Sequence, residues 1–247
     1  MATRIALLSD IHGNAAALDA ALAEVRREGP DVIAVLGDLA LNGPRPGQVV
    51  DRVRELEAAG ALVIGGNTDI AVADLDMTAA FPWFDEVPVA NVAAAQWTHD
   101  ELTEEQRDYL RRLPAERRLT VDETMILFCH ASPGSQTAGL GPEVDAATVV
   151  ERVMRTSARV VACGHTHVTA VRDLGWKLVV NPGSCGYAFD GDPGAAWAIL
   201  TVDGDDVSTE LRRTSYDTQP VSDELSARGL VGDIYRAATI RNGRLVR

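Results

Sequence analysis

Short apolar runs and segments of helical periodicity alternate along the first part of the chain. The runs Arg4 to Ser9, Val32 to Leu36 and Ala61 to Ile64 have the length of buried strands, and Asn14 to Arg27 and Pro46 to Ala59 lie between them with helical spacing. Strands that alternate with helices form βαβ units, in which consecutive strands lie parallel. The sequence therefore predicts a largely parallel sheet in the first part of the fold.

This alternation stops after the third predicted strand. The segment from Ile70 to Leu113 contains Pro and Trp residues followed by an amphipathic helical stretch, and we expect it to form a helical insertion that lies on the sheet. Closely spaced strand patterns resume at Arg118 and are interrupted by a predicted helix from about Val144 to Thr156. A parallel start followed by a β-rich second half favours two packed sheets flanked by helices over one open sheet.

The chain of 247 residues is long enough to bury a core without disulfide or metal staples. We predict a single domain over residues 1–247, with the insertion at about 70–113 and a C-terminal tail at about 220–247 that contains a short helix and a weakly structured end. The first apolar run meets an Asp too early for a signal-peptide core, and no run approaches the ~20 residues of a bilayer span. We therefore expect a cytoplasmic protein that does not bind membranes.

Composition limits the partners and the thiol chemistry of the chain. A formal net charge of −13 argues against general nucleic-acid binding and against binding to anionic membranes, since both depend on clustered Lys and Arg. A phosphate ligand would need a local source of positive charge. The cysteines Cys129, Cys163 and Cys185 lie in or beside apolar runs without CxxC spacing, which favours buried thiols in a reducing compartment over a redox or metal role.

Polar side chains follow the apolar runs at the points where five of the predicted strands end. They are Asp10, His12, Asp38, Asn67, His130, His165 and His167. Because the carboxyl ends of strands in α/β sheets line the ligand crevice, we expect these side chains to converge. Asp10 and His12, and likewise His165 and His167, are two residues apart, so each pair would share one face of an extended segment. Four of the five histidines belong to this set, which favours metal ligation over separate structural roles.

The order and spacing of these residues resemble the signature of calcineurin-like metallophosphoesterases, and most closely the compact bacterial branch of phosphodiesterase-like and diadenosine-tetraphosphatase-like proteins. The resemblance extends from Arg4 to about Ser215 and includes the Asn-Pro-Gly-Ser segment at Asn181 to Ser184. Its motifs are D-x-H at Asp10 to His12, G-D at Gly37 to Asp38, G-N-x-D at Gly66 to Asp69, a single His130 after a strand, and G-H-x-H at Gly164 to His167.

The resemblance implies an α/β fold in the form of a four-layer α/β/β/α sandwich with a two-metal centre. By analogy with the family, Asp10, His12 and His167 bind one divalent ion, and Asp38 bridges it to a second ion. The second ion is bound by Asn67, His130 and His165. Nitrogen and oxygen ligands without thiolate suit Mn, Fe, Zn, Co or Ni.

The reaction that the resemblance implies is hydrolysis of a phosphoester, with phosphodiester or nucleotide-type substrates preferred, by attack of a metal-bridging hydroxide. In this reaction Asp38, Asn67 and His130 would be the catalytic residues, and the partner would be a small-molecule phosphoester. Two alternatives stay open: a phosphoprotein phosphatase, and a catalytically weak scaffold, since a retromer subunit of this fold is a protein-binding module. Intact ligand positions argue against the scaffold.

One position departs from the commonest family pattern. Gly-Gly-Asn-Thr-Asp after the third strand would by itself indicate a turn, but many family members have His where this chain has Thr68. That histidine is taken to protonate the leaving oxygen, and a threonine hydroxyl cannot act as a general acid near neutral pH. We therefore expect a preference for substrates with good leaving groups, such as aryl or nucleoside diphosphate-type esters.

Other polar and aromatic residues lie near these motifs. Arg45 precedes a predicted helix and has two interpretations, a bidentate grip on a substrate phosphate or a solvated side chain. His99 is expected to have a surface or packing role in the insertion. We expect the aromatic residues of the insertion to pack it on the sheet or to shape a pocket above the metals; they are Phe81, Trp83, Phe84 and Trp97. Further polar residues in the same loops are Asn14, Asn42, Ser132 and Ser184.

Overall fold

The computed structural model describes residues 1–247 as ten strands and nine helices. None of the helices has both the length and the apolar character that crossing a bilayer requires. In chain order the elements are β1 (Thr3–Leu8), α1 (Ala15–Glu28), β2 (Val32–Val35), α2 (Pro46–Ala58), β3 (Leu62–Val63), α3 (Asn67–Asp74), α4 (Met77–Ala80), α5 (Val89–Glu101), α6 (Glu104–Arg112), β4 (Glu116–Val121), β5 (Thr124–Cys129), α7 (Ala146–Val153), β6 (Val160–Ala162), β7 (Thr169–Asp173), β8 (Leu178–Pro182), β9 (Ala195–Asp203), β10 (Asp206–Thr214), α8 (Thr218–Arg228) and α9 (Asp233–Asn242).

The strands form two five-stranded sheets. The first has the order β10-β9-β1-β2-β3, in which β1, β2 and β3 are parallel and the β9–β10 hairpin is antiparallel to β1. The second has the order β4-β5-β6-β8-β7, in which β5, β6 and β8 are parallel. The predicted parallel start is therefore confirmed, and the chain returns to the first strand through β9 in its last third.

Alternation of side chains along β1 shows how the layers are stacked. Ile5 and Leu7 are buried against the second sheet, in a cluster that includes Phe128 of β5. Ala6 and Leu8 point the other way, into a cluster with α1 and α2. Because successive strand residues face opposite sides of a sheet, the fully buried apolar run Ile5 to Leu8 shows that β1 is covered on both faces. The first sheet accordingly lies between helices and the second sheet.

The outer face of the second sheet is covered by a helix. Leu127 of β5 and Val161 of β6 are buried with Val149 and Val153 of α7. These residues alternate with Phe128 and Ala162, which face the first sheet. The architecture is the four-layer α/β/β/α sandwich that the resemblance implies.

The three cysteines are free and buried, as predicted. Cys129 and Cys163 pack with α7, and Cys185 belongs to the cluster beneath α1. Burial raises the pKa of the Cys163 and Cys185 thiols to about 12. Thiols with such pKa values remain protonated and unreactive at neutral pH.

The insertion consists of α3 to α6, and it begins at Asn67 because α3 follows the third strand at once. Phe81 is buried in the main core cluster. Trp83 and Phe84 are exposed, so the prediction that they pack the insertion on the sheet is wrong. The guanidinium carbon of Arg228 lies 4.1 Å from the ring centroid of Trp97. Trp97 therefore contacts the C-terminal helix α8.

The C-terminal segment forms two packed helices, where the sequence predicts one short helix and a weakly structured end. Leu225 of α8 and Ile240 of α9 are buried against each other and against Tyr187. Ile240, in the part expected to be weakly structured, is 2% exposed. The prediction was wrong because the apolar stripes of these helices are short and become recognisable only when they pack together.

A buried ion network fastens these two helices to the rest of the fold. Asp233 accepts from Arg228 Nη2 at 2.6 Å and from Arg236 Nη1 at 3.1 Å. Arg236 Nε donates to the side-chain oxygen of Asn42 at 3.1 Å, in the loop after β2. Through Trp97 and Asn42, the network joins the C-terminal helices to the insertion and to a strand-end loop.

We predict that Asp233→Ala lowers the free energy of unfolding by about 3–5 kcal/mol, because it leaves two buried guanidinium groups without their carboxylate. Urea denaturation followed by circular dichroism measures this change. Asp223→Ala is the matched control, since Asp223 is exposed on α8 and contacts Gln219 only at the surface. Equal effects of the two substitutions would contradict a stabilising role for the network.

Candidate metal centre

The loops that follow five strands meet at one edge of the two sheets and bring the seven predicted residues together. Six of the seven side chains are buried, and His165 is partly buried. The loop after β1 contributes Asp10 and His12, the loop after β2 Asp38, the start of α3 Asn67, the loop after β5 His130, and the loop after β6 His165 and His167.

The first group of side chains consists of Asp10, His12, Asp38 and His167, whose candidate ligand atoms lie within 4.8 Å of one another. Nε2 of His12 lies 3.1 Å from Nε2 of His167 and 3.5 Å from Oδ2 of Asp38. Oδ1 of Asp10 lies 3.2 Å from Nε2 of His167. Two carboxylates and two imidazoles therefore face a common centre.

The second group consists of Asp38, His130 and His165, with the amide oxygen of Asn67 between the two imidazoles. That oxygen lies 3.1 Å from Nε2 of His130 and 3.0 Å from Nδ1 of His165. Oδ1 of Asp38 lies 3.4 Å from Nε2 of His130. Because the other oxygen of Asp38 faces His12, its carboxylate lies between the two groups.

Backbone carbonyls orient three of the imidazoles. Nδ1 of His12 donates to the Leu41 carbonyl at 2.9 Å, and Nδ1 of His130 donates to the Leu36 carbonyl at 2.7 Å. Nδ1 of His167 lies 2.5 Å from the Tyr187 carbonyl. A carbonyl can only accept, so each Nδ1 carries a hydrogen and each Nε2 faces the groups. Metal-ligating histidines are typically oriented in this way.

The ligand atoms of the two groups suit a divalent metal ion. Oδ1 of Asp10 is buried, no backbone N–H or neutral side chain donates to it, and its close contact is Nε2 of His167 at 3.2 Å. A buried carboxylate oxygen in that position needs positive charge beside it. A cation shared with His12 and His167 would satisfy it. Nitrogen and oxygen donors without thiolate are the ligands of Mn, Fe, Zn, Co and Ni. The residues present could therefore hold metal, and the individual ligand assignments stay predictions.

The backbone at the site is left-handed. Asp10, His12, Asp38, His165 and His167 have φ values of 54°, 52°, 57°, 70° and 58°. Outside glycine this conformation is uncommon and costs about 1–2 kcal/mol per residue. The expectation that the D-x-H and H-x-H pairs lie on extended segments is therefore wrong. Each pair converges because the chain turns tightly after its strand.

Asp69 holds the loop after β2 against the start of α3. Its carboxylate accepts from the backbone N–H groups of Asp38 at 3.0 Å, Leu39 at 2.9 Å and Gly66 at 2.9 Å. Burial and the nearby Asp38 carboxylate raise the pKa of Asp69 to about 7. These bonds offset part of the cost of the left-handed backbone at Asp38.

Two glycines permit the close approach of these loops. A Cβ atom at Gly66 would collide with the carboxylate of Asp38, and one at Gly164 would collide with the side chains of Ser9 and Asp10. Steric contact with the neighbouring loops therefore explains why glycine precedes Asn67 and His165 in these motifs. Any larger residue at either position would push a candidate ligand away from the centre.

The Asn-Pro-Gly-Ser segment fixes two of the ligand loops. Nδ2 of Asn181 donates to the Gly164 carbonyl at 2.8 Å, and Oγ of Ser184 donates to the Asp10 carbonyl at 2.6 Å. The backbone N–H of Gly186 donates to the same carbonyl at 3.1 Å. Sequence reasoning included this segment in the resemblance without a role, since its partners lie far away in the chain.

The charges of the two groups are balanced internally. Burial alone would lower the pKa of His130, but the Asp38 and Asp10 carboxylates and the Leu36 carbonyl together outweigh it and raise that pKa to about 10. His130 and His12 in turn keep the pKa of Asp38 below its ordinary value despite burial. Burial lowers the pKa of His12 to about 4, and the neighbouring imidazole of His167 lowers it further in the same direction. Burial likewise lowers the pKa of His165 to about 4, together with the imidazole of His130. Binding of a cation would therefore release protons.

Several other predicted residues have structural contacts. Asn14 caps α1 through Ala17 and donates to the Gly186 carbonyl. Arg45 Nε pairs with Glu224 of α8 at 2.6 Å, so its guanidinium is engaged at the surface. His99 lies outside both groups, and its Nδ1 is 2.8 Å from the carbonyl of Val72, so it packs α5 on α3.

Comparison with known proteins agrees with this arrangement. Residues 3–205 match the model of the calcineurin-like phosphoesterase superfamily domain. An uncharacterized protein of Methanocaldococcus jannaschii is 26% identical over 238 residues, which cover 90% of this chain and 91% of that protein.

Two solved structures have a similar fold over nearly the whole chain. A metallophosphoesterase from Sphaerobacter thermophilus is 26% identical, covers 98% of this chain and 100% of that one, and superposes with a TM-score of 0.76. A hypothetical protein from Pyrococcus horikoshii OT3 is 22% identical, covers 98% of both chains and has a TM-score of 0.82. At that identity the second likeness concerns the fold alone.

We predict that Mn²⁺ raises the midpoint of thermal unfolding of protein first treated with EDTA. A cation that binds only the folded chain stabilises it, by about 2.7 kcal/mol when its concentration is 100 times the Kd. His130→Ala should remove most of the metal-induced shift. His99→Ala should retain it, whatever it does to the midpoint without metal, because His99 lies outside both groups. A shift of equal size in both variants would contradict the assignment.

Proposed function

The chain belongs to the calcineurin-like phosphoesterase superfamily, and we propose on this basis that it is a metal-dependent phosphoric ester hydrolase acting on a small-molecule phosphodiester or nucleotide-type ester. The main support is the Asp38 carboxylate, whose two oxygens lie 3.5 Å from His12 and 3.4 Å from His130. A carboxylate in that position can serve two cations at once. The proposal is therefore a two-metal centre.

In this proposal the Asp38 carboxylate would be shared by two cations, each of which would have three further ligands. Two divalent cations, chosen among Mn, Fe, Zn, Co and Ni, supply the activated water and the positive charge that a phosphoryl group requires. The positive charge of the cations would offset, at the site, the repulsion between a phosphate and a chain whose net charge is −13. The first set is Asp10, His12 and His167, and the second is Asn67, His130 and His165.

The residues of the chain contribute a fixed geometry. Nδ2 of Asn67 donates to the Ala80 carbonyl at 2.9 Å, so the amide oxygen faces the centre. Nδ1 of His130 is held by Leu36. Asp38 is held by Asp69 through its backbone and by the Thr68 N–H, which donates to its Oδ1 at 2.9 Å. Preorganised charges of this kind need no rearrangement during the reaction and contribute strongly to catalysis.

The environment of Thr68 supports a preference for good leaving groups. Its hydroxyl is buried and has no hydrogen-bond partner, and it cannot donate a proton as an imidazolium would. The leaving oxygen would then depart without a general acid from this position. Aryl esters and phosphoanhydrides tolerate this because their leaving groups are weakly basic.

We predict that the protein hydrolyses bis-p-nitrophenyl phosphate in the presence of Mn²⁺. Asp38→Asn and His130→Ala should each lower kcat by ~100-fold or more, the scale on which the loss of one electrostatic stabiliser acts. His99→Ala should retain activity. Weak turnover that neither Asp38→Asn nor His130→Ala changes would favour the alternative of a scaffold protein. Preferential hydrolysis of a phosphopeptide would favour the phosphoprotein phosphatase.

We predict that Thr68→His reduces the dependence of kcat on the leaving group. Because a general acid typically contributes ~10²–10⁴-fold, the variant should gain most on alkyl phosphodiesters and little on aryl phosphodiesters. Rates over a series of esters with leaving groups of increasing pKa measure this dependence. Thr68→Val is the matched control and should keep the wild-type slope. Equal slopes in wild type and Thr68→His would refute the hypothesis.

A further inference from the structure

Two exposed aromatic side chains lie beside the metal centre. Trp83 is 51% exposed and Phe84 is 40% exposed, although both follow a buried Phe81 in the insertion. The indole of Trp83 lies 5.9 Å from the ring of His165, measured between centroids. Large aromatic side chains are usually buried, and neighbouring exposed ones often mark a binding site.

The turn that presents Trp83 is held firmly. The Phe84 N–H donates to the Phe81 carbonyl at 3.2 Å and closes a four-residue turn with Pro82 in its second position, where proline is favoured. Phe81 anchors the turn in the core, and its ring lies perpendicular to that of Trp83 with centroids 5.7 Å apart. The residue before the turn, Ala80, accepts from Asn67. Trp83 is thus fixed relative to a candidate ligand.

The flat surface of the indole has no aromatic ring stacked on it. The planes of Phe81, Phe84 and His165 lie at 89°, 52° and 67° to the plane of Trp83. None of the three rings is therefore parallel to the indole and stacked face to face on it. Half of Trp83 is exposed, and it lies beside His165, a candidate ligand at the site where the phosphoester would bind.

We propose that Trp83, flanked by Phe84, stacks on a planar aromatic group in the part of the phosphoester substrate that stays on phosphorus when the leaving group departs. This inference rests on the proposed function, and it narrows the substrate class to esters that bear a nucleobase or an aryl group. Stacking on an indole suits either group, because both present a planar π face. It also adds affinity without positive charge from side chains of this acidic protein.

A second tryptophan provides a matched control. Trp176 is 53% exposed, close to the value for Trp83. It lies in the turn that precedes β8, whereas His165 follows β6, and these two strands are parallel neighbours. Trp176 is therefore at the opposite end of the second sheet from the metal centre. Its substitution removes the same exposed surface without touching the site.

The test uses three diesters that share p-nitrophenolate as the leaving group and differ in the other ester group, which is methyl, phenyl or 5′-thymidine. Trp83→Ala should lower kcat/KM for the phenyl and thymidine esters by about ten-fold, within the range of base stacking on aromatic side chains. The methyl ester should change less than two-fold. Trp83→Phe should restore most of the loss, and Trp176→Ala should behave as wild type.

The arms of this experiment separate the two sources of the aromatic group. A loss on the thymidine ester alone identifies a nucleobase, and a loss on the phenyl ester alone identifies an aryl group. Equal loss on all three esters would mean that Trp83 supports His165 or contacts the shared p-nitrophenyl leaving group, and either result would overturn the proposal. Unchanged kcat/KM in Trp83→Ala for all three would overturn it as well.

A binding measurement distinguishes failure of this inference from failure of the proposed function. If wild type with Mn²⁺ hydrolyses none of the three esters, the proposed function fails. Calorimetric titration with thymidine 5′-monophosphate and with methyl phosphate then decides the inference independently. Trp83→Ala should weaken binding of the nucleotide about ten-fold and leave methyl phosphate unchanged. Equal binding of the nucleotide by wild type and Trp83→Ala, or no binding by wild type, would overturn the inference.

Discussion

Two carboxylates, those of Asp10 and Asp38, are buried at one edge of the fold, and much of the surrounding structure compensates for their burial. Buried charges are tolerated only when partners and hydrogen bonds offset their desolvation. Here the compensation comes from the imidazoles of His130 and His167 and from N–H groups of neighbouring loops. The two carboxylates and these partners together belong to five strand-end loops, so the left-handed turns and the close glycine contacts of these loops serve the same pair of buried charges.

The sequence was informative wherever a feature is local. Apolar runs of strand length predict the parallel strands β1 to β3, and polar residues at the strand ends predict which side chains converge. The left-handed turns at Asp10 and His12 could not be predicted, since they follow from contacts with distant loops. The attachment of α9 to the loop after β2 could not be predicted for the same reason, since Arg236 donates to Asn42, 194 residues away in the chain.

Most candidate ligands lie on different parts of the chain from the insertion and the C-terminal helices. The two sheets present the candidate ligands on short, rigid loops, and these loops lie within the part matched by the family model, residues 3–205. The insertion and the C-terminal helices border the same edge without contributing a candidate ligand other than Asn67. The insertion presents exposed aromatic rings, whereas the C-terminal helices contain a buried ion network. Changes in these bordering elements would alter specificity while leaving the ligands in place.

The pairing of β9 with β1 has a consequence for the order in which the chain can fold during synthesis. β1 lies in the middle of the first sheet, yet one of its two neighbours is formed by Ala195–Asp203. Until that strand leaves the ribosome, β1 has an unpaired edge, and Asp10 lacks the Ser184 and Gly186 contacts that hold its loop. Such long-range pairings slow folding and leave nascent chains open to wrong partners. The candidate metal centre can therefore be completed only after β9 has been synthesised, although its first candidate ligand is the tenth residue.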